Sequence, residues 1–152
     1  MPEQEPKVRD LMTSRIMTVR MDDTLETAQT IFNQRTFHHL VVLEHGEPVG
    51  VISDRDLLRH LSPFLGTGLS ERGQDRATLY KPIHQIMTRQ LVSIDPDACA
   101  TEAARQMISR RVSCLPVIDE EKRLVGIITK RDLLRLVVGK RPRATVPPDQ
   151  PG

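Results

Sequence analysis

The sequence predicts an α+β fold of two tandem β-α-β-β-α repeats. Three observations carry that expectation. The chain is written twice: Met12-Thr13 returns as Met87-Thr88, Asp22 as Asp97, Ala28 as Ala103, Arg35 as Arg110 and Leu40 as Leu115, all at an offset of 75. One extra residue later the offset is 76, and Val49–Leu58 matches Val125–Leu134. Each copy has one segment with apolar residues at helical spacing, followed by two short, nearly continuous apolar runs. Its 152 residues, 38% of them hydrophobic and 28% charged, suit one compact domain or two halves sharing a core. Repeats of this kind stack because one unit cannot bury its own apolar face.

The elements follow in order. Ile16–Val19 and Leu91–Ile94 are short apolar segments ahead of Asp-containing turns and are expected as strands. Asp23, with Glu26 three residues on, offers a capping box for a helix carrying Leu25, Ala28, Ile31 and Phe32 on one face. Its counterpart is expected to start near Pro96-Asp97 and carries Ala100, Ala103, Ala104, Met107 and Ile108. Leu40–Leu43 and Val49–Ile52 flank Glu44–Pro48 as a hairpin. The second copy pairs Leu115–Ile118 with Leu124–Ile128, and Pro116, which has no N–H to donate, is expected at a strand start or edge. A last helix begins near Asp54 and near Lys130, the second ending near Gly139. The copies then span residues 8–61 and 83–138. A linker at 62–82 holds a short helix around Ser70–Leu79, and the Pro-rich, basic stretch 139–152 is expected as a loose tail.

Composition excludes several functions. The net charge of +2 and the scarcity of aromatics (one Tyr, three Phe, no Trp) argue against a nucleic-acid partner. No run reaches transmembrane length and Met1–Glu5 does not read as a secretory leader, so no membrane partner and a cytoplasmic location are expected. Cys99 and Cys114 stand in apolar contexts as reduced core thiols. His38 and His39 point to opposite faces of a strand, and with His45, His60 and His84 scattered no metal-ligand spacing appears. No nucleophile-base-orienter set and no glycine-rich phosphate loop is present, so the chain reads as no enzyme, with no cofactor.

The chemistry-bearing pattern is Ser53-x-x-Asp56 and Thr129-x-x-Asp132, each where a strand gives way to a helix. The hydroxyl can donate to a phosphate oxygen, and a carboxylate one turn on can accept from both hydroxyls of a ribose. The same four residues also make an N-capping arrangement that needs no ligand. Arg55 and Arg131 stand beside the Asp residues as phosphate clamps or as a solvated helix face, and Lys130 adds positive charge where the first copy has Asp54.

Together these motifs resemble the CBS domain, specifically the tandem pair called a Bateman module in free-standing form. The resemblance rests on the Met-Thr leaders, Val19–Asp22 and Ile94–Asp97, Val41–Glu44 and Pro116–Asp119, and the endings Gly50–Leu57 and Gly126–Leu133, covering roughly residues 8–138. It implies pseudo-twofold symmetry and regulatory binding of adenosine-containing ligands (AMP, ADP, ATP, NAD or S-adenosylmethionine) in clefts between the two copies. An adenine nucleotide would thus be the regulatory ligand. It gives Ser53, Asp56, Thr129 and Asp132 the phosphate and ribose contacts. The base lies against backbone at Thr18-Val19 and His39-Leu40, and at Ser93-Ile94 and Cys114-Leu115, with His39 near phosphate. Val41 departs from the usual Pro at its position. The resemblance also implies a homodimer. The alternative is a ligand-independent scaffold for a protein partner that the sequence does not name.

Overall fold

The structure is a computed structural model describing residues 4–34 and 37–139; the expected tail beyond Gly139 lies outside the described residues. The chain divides into two compact units, and they do not follow the repeats as written. Among the described residues, those within Met17–Leu91 form one, while those up to Ile16 join those from Val92 onward in the other. Each unit therefore combines the body of one copy with the Met-Thr leader of the other. We call them the repeat-1 and repeat-2 units after their bodies.

In the repeat-1 unit, β1 (Thr18–Arg20), β2 (His39–Glu44) and β3 (Glu47–Ser53) form a sheet in that order, β1 parallel and β3 antiparallel to β2. The hairpin is tighter than expected. His45 and Gly46 alone make the turn, both at positive φ, which matches the twist of the flanking strands. Helices α2 (Leu25–Gln34) and α3 (Asp54–His60) cover one sheet face, burying Val19, Leu25, Ala28, Leu40, Val42, Ile52 and Leu57 together. Ile83 and Met87 from the second copy's leader complete this core, and Thr88 bridges Val51 antiparallel. Asp23 does not cap α2: its carboxylate accepts from the Arg20 amide at 2.7 Å and closes the turn. Thr24 receives the Thr27 amide instead, at 3.4 Å.

The stretch between the copies holds α4 (Gly73–Ala77) with short 3₁₀ turns at Gly68–Ser70 and Thr78–Tyr80, and a third turn at Ile83–Gln85 opens the second copy. Buried Asp75 fastens it, accepting from the Ser62 hydroxyl at 2.6 Å and the Arg72 amide at 2.7 Å. The Ser62 bond holds the Asp75 carboxyl below the usual carboxylate range.

The repeat-2 unit packs α1 (Val8–Leu11), α5 (Ala100–Arg110) and α6 (Lys130–Val137) against the hairpin of β4 (Cys114–Ile118) and β5 (Leu124–Thr129). Leader residues Val8 and Leu11 are buried with Ala103, Met107, Leu115, Val117 and Ile128. Leu91–Ile94 forms no strand here; only Ile94 bridges Val117. The cause is Pro116. Its counterpart Val41 donates its N–H to Met17 and so extends the ladder, at 3.4 Å, whereas proline has no proton to give. Pro116 lies in the middle of β4 rather than at its start, and β4 is an edge strand of a two-stranded sheet, as expected of a residue with no N–H to donate. Helix α5 begins later than expected, and its N-cap Cys99 gives no side-chain bond. Glu5 from the leader takes that role, accepting from the Thr101 amide at 2.7 Å. The Thr101 bonds hold the Glu5 carboxyl below its usual range.

Among the described residues no helix is long and apolar enough to cross a membrane, and no group of three His, Cys, Asp or Glu is placed to hold a metal.

Candidate functional site

The two candidate sites draw on equivalent residues, each within one unit. His39 lies opposite Ser53 across β2 and β3, and Thr18 lies opposite Val41. Cross-strand partners share a face and residues two apart alternate back to it. Thr18, His39 and Ser53 therefore stand on the sheet face away from α2 and α3. In the repeat-2 unit Cys114 lies opposite Thr129. Ile94 meets Val117 as Val19 meets Val42, which brings Ser93 to the equivalent place. Val19 and Ile94 turn their side chains into the two cores at 3% and 5% exposure, so only their backbone faces the site. Cys114 is buried, while Arg55, Arg131 and Lys130 are exposed.

Both capping boxes are formed. Ser53 Oγ accepts from the Asp56 amide at 3.0 Å, and Asp56 Oδ2 accepts from the Ser53 amide at 2.9 Å. Thr129 Oγ1 accepts from the Asp132 amide at 3.4 Å, while Asp132 Oδ2 accepts from the Thr129 amide at 2.8 Å and hydroxyl at 3.1 Å. The cap uses only one carboxylate oxygen. Asp56 Oδ1 has no partner among the described residues, whereas Asp132 Oδ1 is 3.4 Å from Arg135 Nη1. Each cap thus leaves the second carboxylate oxygen of its aspartate outside the capping box.

His38 and His39 separate as a strand entry requires. His38 Nδ1 lies 2.8 Å from Asp54 Oδ2. Burial pushes the His39 imidazole below its ordinary 6.5, with Asp54 and Asp56 opposing the shift and His38 adding to it. A histidine held neutral by folding stabilises most above its unfolded pKa, and that contribution is lost as pH falls through the folded value. The melting temperature is therefore expected to drop as pH falls from 7 through the range below 6.5. His39→Gln should flatten that part of a calorimetric pH series; an unchanged slope would show that His39 does not titrate with folding.

The leaders were not anticipated near these strands. Thr88 exchanges backbone bonds with Val51 at 3.0 and 3.3 Å, and Thr13 with Ile127 at 2.9 Å each way, two residues before Ser53 and Thr129. The signal for this was Gly50 and Gly126, where only a hydrogen leaves room for the leader.

Known proteins share this fold. The CBS domain profile matches residues 8–63 and 83–139. A CBS domain-containing protein of Dictyostelium discoideum is 36% identical over 133 residues, covering 86% of this chain and 90% of its own length. Three further curated relatives are matched over only 24–34% of their length. The CBS domain pair of protein MJ0100, solved with 5′-methylthioadenosine and S-adenosyl-L-methionine, superposes with a TM-score of 0.73 at 27% identity, covering 89% of this chain and 98% of that one. CBSX2, solved with AMP, gives 0.69 at 25% identity over 88% and 96%. With both repeats matched in sequence and in fold, the chain belongs to the CBS domain family and carries two copies of that domain in tandem.

Proposed function

We propose that this CBS pair is a non-catalytic regulatory module that binds adenosine-containing ligands. The observation that carries the reading is the duplicated placement of a hydroxyl and a carboxylate where a strand gives way to a helix, with Thr18 and His39, and Ser93 and Cys114, at equivalent positions beside them. Two similar pairs were solved with adenosyl compounds, which supports it. The base rests against backbone at Thr18-Val19 and His39, and at Ser93-Ile94 and Cys114. Asp56 and Asp132 accept from the ribose through Oδ1, and Ser53 and Thr129 donate to phosphate where the ligand has one. Arg55 and Arg131 reach phosphate from the helix surface. Binding regulates only insofar as the ligand prefers one arrangement of the protein over another.

The module works as a homodimer. Leu58 on α3 and its counterpart Leu134 on α6 are 73% and 65% exposed, and Val137 and Val138 extend the apolar surface on the α6 side. Such surface favours covering by a second copy, and light scattering should give a mass above the 17.2 kDa of one chain.

A melting series with AMP, ADP, ATP, NAD and S-adenosylmethionine tests the reading. A bound ligand at about 100 times its dissociation constant stabilises by about 2.7 kcal/mol. At least one compound should raise the melting temperature by several degrees. No shift with any of the five favours the second reading, a ligand-independent scaffold, for which the complete capping boxes already supply a structural role for Asp56 and Asp132.

A further inference from the structure

At the helix start the two candidate sites make matching backbone bonds and differ in charge at one position. Asp54 and Lys130 follow the site hydroxyls, and their amides donate to the carbonyls of His38 and Ser113 at 3.0 Å in both units. The flanking charges are the same in each copy: Arg55 and Arg131, Asp56 and Asp132, Arg59 and Arg135. The exchange of Asp54 for Lys130 therefore alters the local charge by two units.

The side chains separate the sites further. Asp54 turns its carboxylate onto His38, 2.8 Å from Nδ1, so an anionic group is fixed at the entrance to β2. In the repeat-2 unit those two places hold the exposed Lys130 ammonium and Ser113. The aspartates differ in the opposite sense. Asp56 Oδ1 has no partner among the described residues, whereas both oxygens of Asp132 are engaged, one of them by Arg135.

We propose that the repeat-2 site is the one that accepts a polyphosphate-bearing adenosine ligand, with Lys130 as its specificity residue. The repeat-1 site takes an adenosyl ligand without a polyphosphate. This assignment rests on the adenosyl-binding reading above. It follows from side-chain charge at equivalent backbone positions: a carboxylate at position 54 repels what an ammonium at position 130 attracts. Solvent weakens both effects but reverses neither. The Asp132–Arg135 contact adds to the difference, because a ligand's ribose must share Asp132 Oδ1 with Arg135 while its phosphates gain Lys130 and Arg131.

Calorimetric titration of the full chain with ATP and with adenosine decides it, using wild type, Lys130→Asp, Lys130→Met and Asp54→Lys. Lys130→Asp should weaken ATP at one site by about tenfold or more while adenosine changes by less than about twofold. Lys130→Met should fall between, and Asp54→Lys should strengthen ATP at the other site. The wild-type affinity for ATP should fall as salt is raised, and that dependence should shrink in Lys130→Met. Melting curves of each variant verify that it is folded. Equal losses for ATP and adenosine, or no change for either, would overturn the assignment while leaving adenosyl binding intact. Wild type that binds neither compound would overturn the assignment, and the binding reading falls with it only if none of the five compounds shifts the melt.

Discussion

Deleting the segment through Ile16 should unfold the repeat-2 unit, although the deletion falls entirely in the first copy of the sequence. Val8 at 0% and Leu11 at 5% exposure lie in the core of α5, β4 and β5. Burying each is worth about 1.5–3 kcal/mol, and the cavity left behind adds to the loss. The same deletion removes the Glu5 cap of α5, the Thr13 bridge to Ile127 and the ion pair of Arg9 with Asp97 at 2.5 Å. A cap alone contributes about 0.5–2 kcal/mol. Summed, these losses are comparable with the roughly 5–15 kcal/mol that holds a whole domain together. Thermal melts of the deleted and full chains should differ by a large part of the transition. A deleted chain with the full chain's melting temperature would show that the leader is decoration. By the same reasoning the first copy expressed without Ile83, Met87 and Thr88 should not form a stable repeat-1 unit.

The second large effect is expected at the glycines beneath the leaders. A Cβ at Gly50 would stand 2.6 Å from the Thr88 carbonyl oxygen, the acceptor of the Val51 amide at 3.3 Å. That atom is backbone and cannot move without breaking the bridge. At Gly126 the nearest obstruction is Met12 Sδ, the flexible end of a side chain, with the Thr13 carbonyl oxygen behind it at 3.0 Å. Overpacking of this kind costs about 1–3 kcal/mol, and more where backbone must shift. Gly50→Ala should therefore destabilise more than Gly126→Ala in denaturant unfolding. Shortening the methionine separates the cases: Met12→Ala should recover part of the Gly126→Ala loss, whereas Met87→Ala should recover none of the Gly50→Ala loss. Recovery at Gly50 would mean that the sulfur, not the carbonyl, sets the limit there.

The duplication made the bodies of the repeats legible, because hydrophobic period and turn residues act locally. Leu25 and Ala28, or Leu115 and Val117, are buried where their spacing predicts. The crossed leaders were hidden for a physical reason. An offset of 75 says that Met12-Thr13 and Met87-Thr88 are equivalent, but not which hairpin each one pairs with, since that is fixed by long-range backbone bonding. The missing strand at Leu91–Ile94 was half legible: Pro116 announced a lost donor, but its consequence appears only against Val41 and Met17. At the site the N-capping alternative was legible in the spacing of Ser53 and Asp56 and of Thr129 and Asp132, and both capping boxes are formed. Their division of labour, with Oδ2 in the cap and Oδ1 open in Asp56 but engaged in Asp132, depends on side-chain geometry that no spacing encodes.

The central claim is that Asp56 and Asp132 serve a ligand as well as a helix end. Calorimetric titration of Asp56→Ala and Asp132→Ala with whichever adenosyl compound shifts the wild-type melt tests it most directly. Both readings predict some loss of stability, because both capping boxes are real; affinity separates them. Each variant should weaken one site by roughly ten- to a hundred-fold, the cost of a charged hydrogen bond to the ribose, and the double variant should bind at neither. Affinity unchanged in both variants, with only the melting temperature lowered, would contradict it and leave the aspartates as caps alone.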